Sequence, residues 1–185
     1  MTRKREEAIT EQVPSGHSKQ KRVRRLLNRG AGLLAQGKVQ EAISHLEHAY
    51  QLDAESVPVL INLGGAYVVA GRHSEAIPLL EAACEAEPLN TMIWINLGAA
   101  YLGKPALATH EQQMHAISAF EKAIELDPTT PNVHYNLGLI FVDRGDTDLA
   151  VAAFQKAIQV NPMDRDAQLW LHKLEAQKAE GENDD

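Results

Sequence analysis

An all-α solenoid of antiparallel helix pairs is the fold this sequence predicts. Three observations predict it. Leu63-Gly64 with Tyr67, Leu97-Gly98 with Tyr101 and Leu137-Gly138 with Phe141 are copies of one small-plus-aromatic signature. Each is followed by a second signature at helical spacing: Ala76, Leu80, Ala83; Ala116, Phe120, Ala123; Ala150, Phe154, Ala157. Each copy closes on a proline, Pro88, Pro128 and Pro162. A repeat of about 34 residues is one supersecondary unit that cannot bury its apolar face alone, so the units must stack.

The elements follow in order. Residues 1 to about 20 are polar, contain Pro14-Ser15-Gly16, and read as a disordered basic arm. The solenoid is read over 21–178. Unit one, 23–56, is degenerate. It keeps Gly30, Leu33, Gly37, Ala42, Leu46 and Ala49, but Arg29 stands where later units have leucine, and Ala54 replaces the closing proline. Units two (57–90), three (91–130) and four (131–164) start at intervals of 34, 34 and 40 residues, so unit three carries six extra. Gly37, Gly71 and Gly145 supply the turn between the helices of units one, two and four.

The extra residues fall in the turn of unit three, 103–110, where Thr109 and Gln112 have capping-box spacing. They read as a longer turn or a partner-specific contact. Pro131 behind Thr130 suits a first helical turn after an N-cap. Pro78, inside its helix, forfeits a hydrogen bond. Residues 165–178, with an apolar stripe of Ala167, Leu171 and Leu174, read as a capping helix. Residues 179–185 read as a solvated acidic tail.

The net charge of −7 conceals a split. Residues 1–29 hold nine Lys/Arg against three Glu; the remainder holds nine against 22 Asp/Glu. An acidic body repels a nucleic-acid backbone. No apolar run is long enough to cross a bilayer, and the first residues lack the apolar core of a secretory signal, so a soluble, cytoplasmic protein is expected. The single cysteine, Cys84, falls on the packed side of its helix and reads as a buried structural thiol.

Trp94, Leu97, Gly98 and Tyr101, then Ala116, Phe120 and Ala123, then Pro128, form the pattern W-x-x-L-G-x-x-Y, A-x-x-x-F-x-x-A, P. The pattern resembles the tetratricopeptide repeat, and the resemblance spans residues 23–178. It implies a right-handed superhelix with first helices lining a concave groove and second helices forming the back. It also implies a scaffold or adaptor that holds an extended or helical peptide of a partner.

Within each first helix, the side opposite the packing face is set by about 100° per residue. In unit three it holds Met92, Ile95, Asn96, Ala99 and Leu102. In unit two it holds Pro58, Ile61, Asn62, Gly65 and Val68. In unit four it holds Asn132, Tyr135, Asn136, Leu139 and Val142, and in unit one Arg24, Leu27, Asn28, Ala31 and Leu34. Asn28, Asn62, Asn96 and Asn136 thus form a row in a mostly apolar strip. An amide that donates and accepts can grip a peptide backbone of any sequence. The same row can instead bond neighbouring helices and order the stack.

Chaperone-binding members of the family clamp a C-terminal carboxylate with basic side chains. The matching positions here are Leu27, Ile61, Met92, Asn96, Asn132 and Asn136, none of them basic, which disfavours that function.

No H-E-x-x-H, C-x-x-C, phosphate-binding glycine loop or Ser/His/acid set stands in the sequence, so a non-enzyme without cofactor or metal is expected. Two other readings stay open. The basic arm could tether nucleic acid, although it lacks an aromatic residue for stacking. Alternatively, one molecule's terminal segment could occupy another's groove.

Overall fold

The computed structural model describes residues 16–130 and 132–181. Among them are nine α-helices and no strand. Unit one is α1 (Gly16–Ala35) with α2 (Val39–Leu52), and unit two is α3 (Val57–Val69) with α4 (His73–Ala86). Unit three is α5 (Thr91–Leu102), a 3-10 turn (Pro105–Leu107) and α6 (His110–Leu126). Unit four is α7 (Val133–Asp143) with α8 (Thr147–Val160), and α9 (Arg165–Gly181) packs on α8. Each helix pairs most closely with its partner in the same unit and then with the next helix in the chain, which makes a right-handed solenoid.

Within each pair the helices approach at a glycine. A β-carbon built on Gly30 or Gly64 would lie 2.6 Å from Leu46 or 2.7 Å from Leu80. On Gly98 or Gly138 it would lie 2.5 Å from the Phe120 ring or 2.6 Å from the Phe154 ring. The helix accepts a glycine, which costs about 1 kcal/mol against alanine, because nothing larger fits. Phe120, Phe154, Leu46 and Leu80 are fully buried as a result.

The turns obey one rule. Gly37, Gly71 and Gly145 have φ of 72°, 75° and 76°. The following residue, Lys38, Arg72 or Asp146, donates its N–H to the carbonyl of Leu33, Tyr67 or Phe141, closing a Schellman motif. Unit three breaks the rule. After Gly103 the chain makes its 3-10 turn, which packs against α7, and α6 then starts behind a full capping box of Thr109 and Gln112. Pro78 sits inside α4, where the carbonyl of exposed Ser74 can turn to water.

Three expectations need correction. The first helix begins at Gly16, so residues 16–20 are helix rather than arm; the remainder of the arm lies outside the described residues. Lys19, Gln20 and Lys21 are good helix formers and extend α1 by propagation. Helix α9 runs to Gly181, past the expected end at 178; the rest of the tail lies outside the described residues. The third concerns the entrance to α7. Thr130 is buried and donates its hydroxyl to the carbonyl of Asp127, so it does not cap the helix. The cap position is Asn132, in the left-handed conformation at φ 65°, which asparagine tolerates better than most residues. Pro131 lies outside the described residues.

A second repeated contact joins unit to unit. The Tyr67 hydroxyl donates to Glu47 at 2.8 Å, and the Tyr101 hydroxyl donates to Glu81. Both pairs link the first helix of one unit to the second helix of the unit before. The matching pair in unit four is Phe141 and Glu121, which has no hydroxyl to donate. At that junction α6 and α7 touch less extensively than α2 and α3 or α4 and α5. Gln113, buried, supplies a different bond by donating to Asp143 at 2.7 Å.

Gly98→Leu should cost about 1–3 kcal/mol, because the Phe120 ring already occupies the space. An unchanged melting temperature would contradict the packing. Phe141→Tyr should restore the missing link to Glu121 and stabilise by about 0.5–1.5 kcal/mol. Urea unfolding of the two variants beside wild type measures both, and a destabilised Phe141→Tyr would show that the fourth unit stands in a different register.

Candidate peptide-binding groove

The first helices α1, α3 and α5 lie side by side, and α7 contacts the 3-10 turn that follows α5. On their shared side stand Ile61, Val68, Ile95, Ala99, Tyr135, Leu139 and Val142, all half-buried, with Met92 exposed at the margin. Ile61 and Val68 pack on a core that runs from unit one into unit three, and Ile95 on that of units three and four. Tyr135 and Leu139 pack on the core that α9 closes. These side chains have one flank in the protein and one exposed. None carries a charge.

The asparagine row has a graded environment. Asn28 is exposed, while Asn62, Asn96 and Asn136 are half-buried. The Asn62 side-chain amide donates to the Pro58 carbonyl of its own helix at 2.8 Å, which leaves its oxygen for a further partner. The Asn96 amide nitrogen would lie 3.4 Å from a β-carbon at Gly65, so Asn96 leans across from α5 onto α3 where the missing side chain makes room. Asn62 thus bonds within its own helix, and Asn96 reaches a neighbouring one.

Two expected groove residues are elsewhere. Leu102 is only 4% exposed and belongs to the core with Ile117, Phe120 and Val133, with Ala108 of the insertion packed at its edge. Leu102 is thus closed off by the core that units three and four share, to which the insertion contributes Ala108. Asn132 is exposed but precedes α7 rather than lying on its groove side, because the helix begins only at Val133. The other members of the set, Asn28, Asn62, Asn96, Asn136, Ile61, Val68, Ile95, Ala99, Tyr135 and Leu139, lie on the first helices as expected.

One polar cluster escaped sequence reasoning. The Arg72 guanidinium lies 4.1 Å from the centre of the Tyr67 ring, and its Nε donates to Glu75 at 2.7 Å. The Glu47 carboxylate accepts from Tyr67 and lies 3.5 Å from Arg72. The available signal was the recurrence of Glu and Tyr 20 residues apart, Glu47/Tyr67 and Glu81/Tyr101. Burial, reinforced by the hydrogen bond to its glutamate, pushes each of the two phenols up to about 12. Burial likewise raises the Cys84 thiol to about 11, in keeping with its place in the core. Among the described residues no group of three or more His, Cys, Asp or Glu could hold a metal ion, and no helix is long and apolar enough to cross a membrane.

Family models of the tetratricopeptide repeat match residues 33–94, 112–142 and 131–164. This chain belongs to the tetratricopeptide repeat family. A comparison with curated proteins finds no match. Among solved structures, MamA of MSR-1 is similar, at 26% identity and a TM-score of 0.69, over 88% of this chain and 90% of that one. MamA from Desulfovibrio magneticus, residues 41 to its end, gives 25% identity and 0.67 over 80% and 81%. A thermophilic TPR protein of Thermus thermophilus shares the fold, with a TM-score of 0.69 at 20% identity over 84% and 82%.

The raised phenols make stability depend on alkaline pH. The free phenol titrates near 10, the folded one near 12, so the stabilisation is present below pH 10 and is lost as pH rises toward 12. Alkaline unfolding followed by circular dichroism should therefore begin in this window. Phe at both Tyr67 and Tyr101 should lower stability at pH 7 and flatten the pH dependence; an unchanged profile would refute the tethers.

Proposed function

We propose that this protein is a non-catalytic interaction scaffold whose concave face takes an extended or helical peptide of a protein partner. The supporting observation is the uncharged, half-exposed strip of Ile61, Val68, Ile95, Ala99, Tyr135 and Leu139, interleaved with asparagine amides. An apolar strip of this kind favours a partner that is neutral or apolar where it meets units two to four. The amides of Asn96 and Asn136, and the carbonyl oxygen of Asn62, supply main-chain hydrogen bonds that do not depend on the partner's sequence.

Partners captured from a lysate by affinity and identified by mass spectrometry provide the ligand for the test. Replacing both Asn96 and Asn136 with alanine should weaken binding by roughly 1–3 kcal/mol, about five- to 150-fold, at about 0.5–1.5 kcal/mol for each hydrogen bond. Affinity should be nearly independent of salt, since no basic clamp is involved. Normal binding by a double variant that melts early would show the asparagines to be structural and would overturn the reading.

A further inference from the structure

The exposed face of α1 is a second interaction surface. Its character follows from comparing the four units position by position. Where units two, three and four place Val59, Ile93 and Val133, each fully buried against the preceding unit, unit one has Arg25. Where they bury Leu63, Leu97 and Leu137, unit one has Arg29. Where they bury Ala66, Ala100 and Ile140, it has Gly32. All three residues are exposed, and no described helix precedes α1. This is the side of a first helix that, elsewhere in the molecule, seats the second helix of the unit before.

The face is also of one sign. Helix α1 carries Lys19, Lys21, Arg22, Arg24, Arg25 and Arg29 and no Asp or Glu. Arg22 contacts the His48 ring nitrogen at 3.1 Å, and no ion pair found among the described residues involves α1. A face meant only for solubility would carry mixed charge, and this one reduces the net charge of an acidic protein. Lys21, Arg25 and Arg29 follow one another at four-residue steps, about 6 Å of helix rise apart. Carboxylates at four-residue steps on a facing helix have the same spacing. Gly32 adds shape to charge, since a β-carbon there would meet nothing within 4 Å.

We propose that this face seats an acidic helix of a protein partner, laid against α1 in the position a preceding unit's second helix would take. Three observations favour that occupant. A long polyanion or a membrane would also face the remainder of the chain, which holds nine Lys/Arg against 22 Asp/Glu, whereas a single helix stays on the basic face. The glycine at 32 permits the close approach that a helix needs and that diffuse charge attraction does not. A second copy docking through α9 is a poor match, because that helix exposes Arg165, Lys173 and Lys178 beside Asp166, Glu175 and Glu180.

The test uses the full chain and a synthetic helical peptide matching the 20 residues of α1, with glutamate at four-residue steps. Its glutamine-substituted twin, an oligothymidylate and phosphatidylserine vesicles serve as comparisons. The glutamate peptide should bind, the twin should not, and affinity should fall as salt rises. Arg25→Gln with Arg29→Gln should weaken binding more than about tenfold, while Lys156→Gln leaves it unchanged. Gly32→Leu should weaken it several-fold without loss of folding, because the new side chain projects into the seat rather than into the core.

Equal or stronger binding of the oligothymidylate or the vesicles would show a general polyanion surface and overturn the proposal. Undiminished binding by Gly32→Leu would overturn it too, and so would a dimer in light scattering that the double arginine variant abolishes. Because the groove should be insensitive to salt and to Arg25 and Arg29, failure here leaves the groove reading standing, and failure there leaves this one.

Discussion

Everything in this solenoid depends on how close two helices can come inside one unit. Gly30, Gly64, Gly98 and Gly138 let a leucine or phenylalanine from the paired helix press against bare backbone. That contact sets the spacing within each pair and presents the next unit with a flat apolar surface of Leu79, Ala83, Ala116 or Phe120 type side chains. Stacking then repeats the same solution, and α1, α3 and α5 come to lie side by side. Residues on the far side of each first helix, such as Ile61, Val68, Ile95 and Ala99, are left half-exposed.

Polar contacts refine what packing creates. Tyr67 with Glu47 and Tyr101 with Glu81 cross from one unit to the next at the rim, each satisfying a hydroxyl that burial would otherwise penalise. Arg72 joins the first of these networks through both charge and its contact with the Tyr67 ring. Since the same two residue types recur at the same interval, the tether belongs to the repeat and not to one junction.

The repeat itself was legible because period, small residues and turn glycines are local properties that every unit restates. Leucine-glycine followed by an aromatic residue marks the first helix, and Gly37, Gly71 and Gly145 mark the turns with positive φ. What escaped was whatever broke the period. Leu102 was read with the half-exposed Val68 and Val142 that share its repeat position, but it is buried among Ile117, Phe120 and Val133, and a sequence does not say how the chain packs after six extra residues. Asn132 looked like part of a helix because its equivalents are, but α7 starts later behind a left-handed residue. Gly16–Gln20 looked like an arm because exposed basic residues read alike in coil and on a helix surface. The asparagine row was visible as a row, yet its partners were not: the bond from Asn62 to Pro58 and the approach of Asn96 to Gly65 depend on side-chain direction.

The junction between units three and four differs from the others in kind. It lacks the tyrosine tether, its helices touch less, and a 3-10 turn stands against α7. In a one-dimensional stack, stability is a sum of unit terms and nearest-neighbour couplings, so a weak coupling divides the array. The core nevertheless continues across this junction, since Leu102 and Phe120 of unit three share one cluster with Val133, Leu137 and Ile140 of unit four. Under the proposed groove reading, a ligand that spans this junction would add coupling where the helices touch least, whereas one confined to the first three units would not.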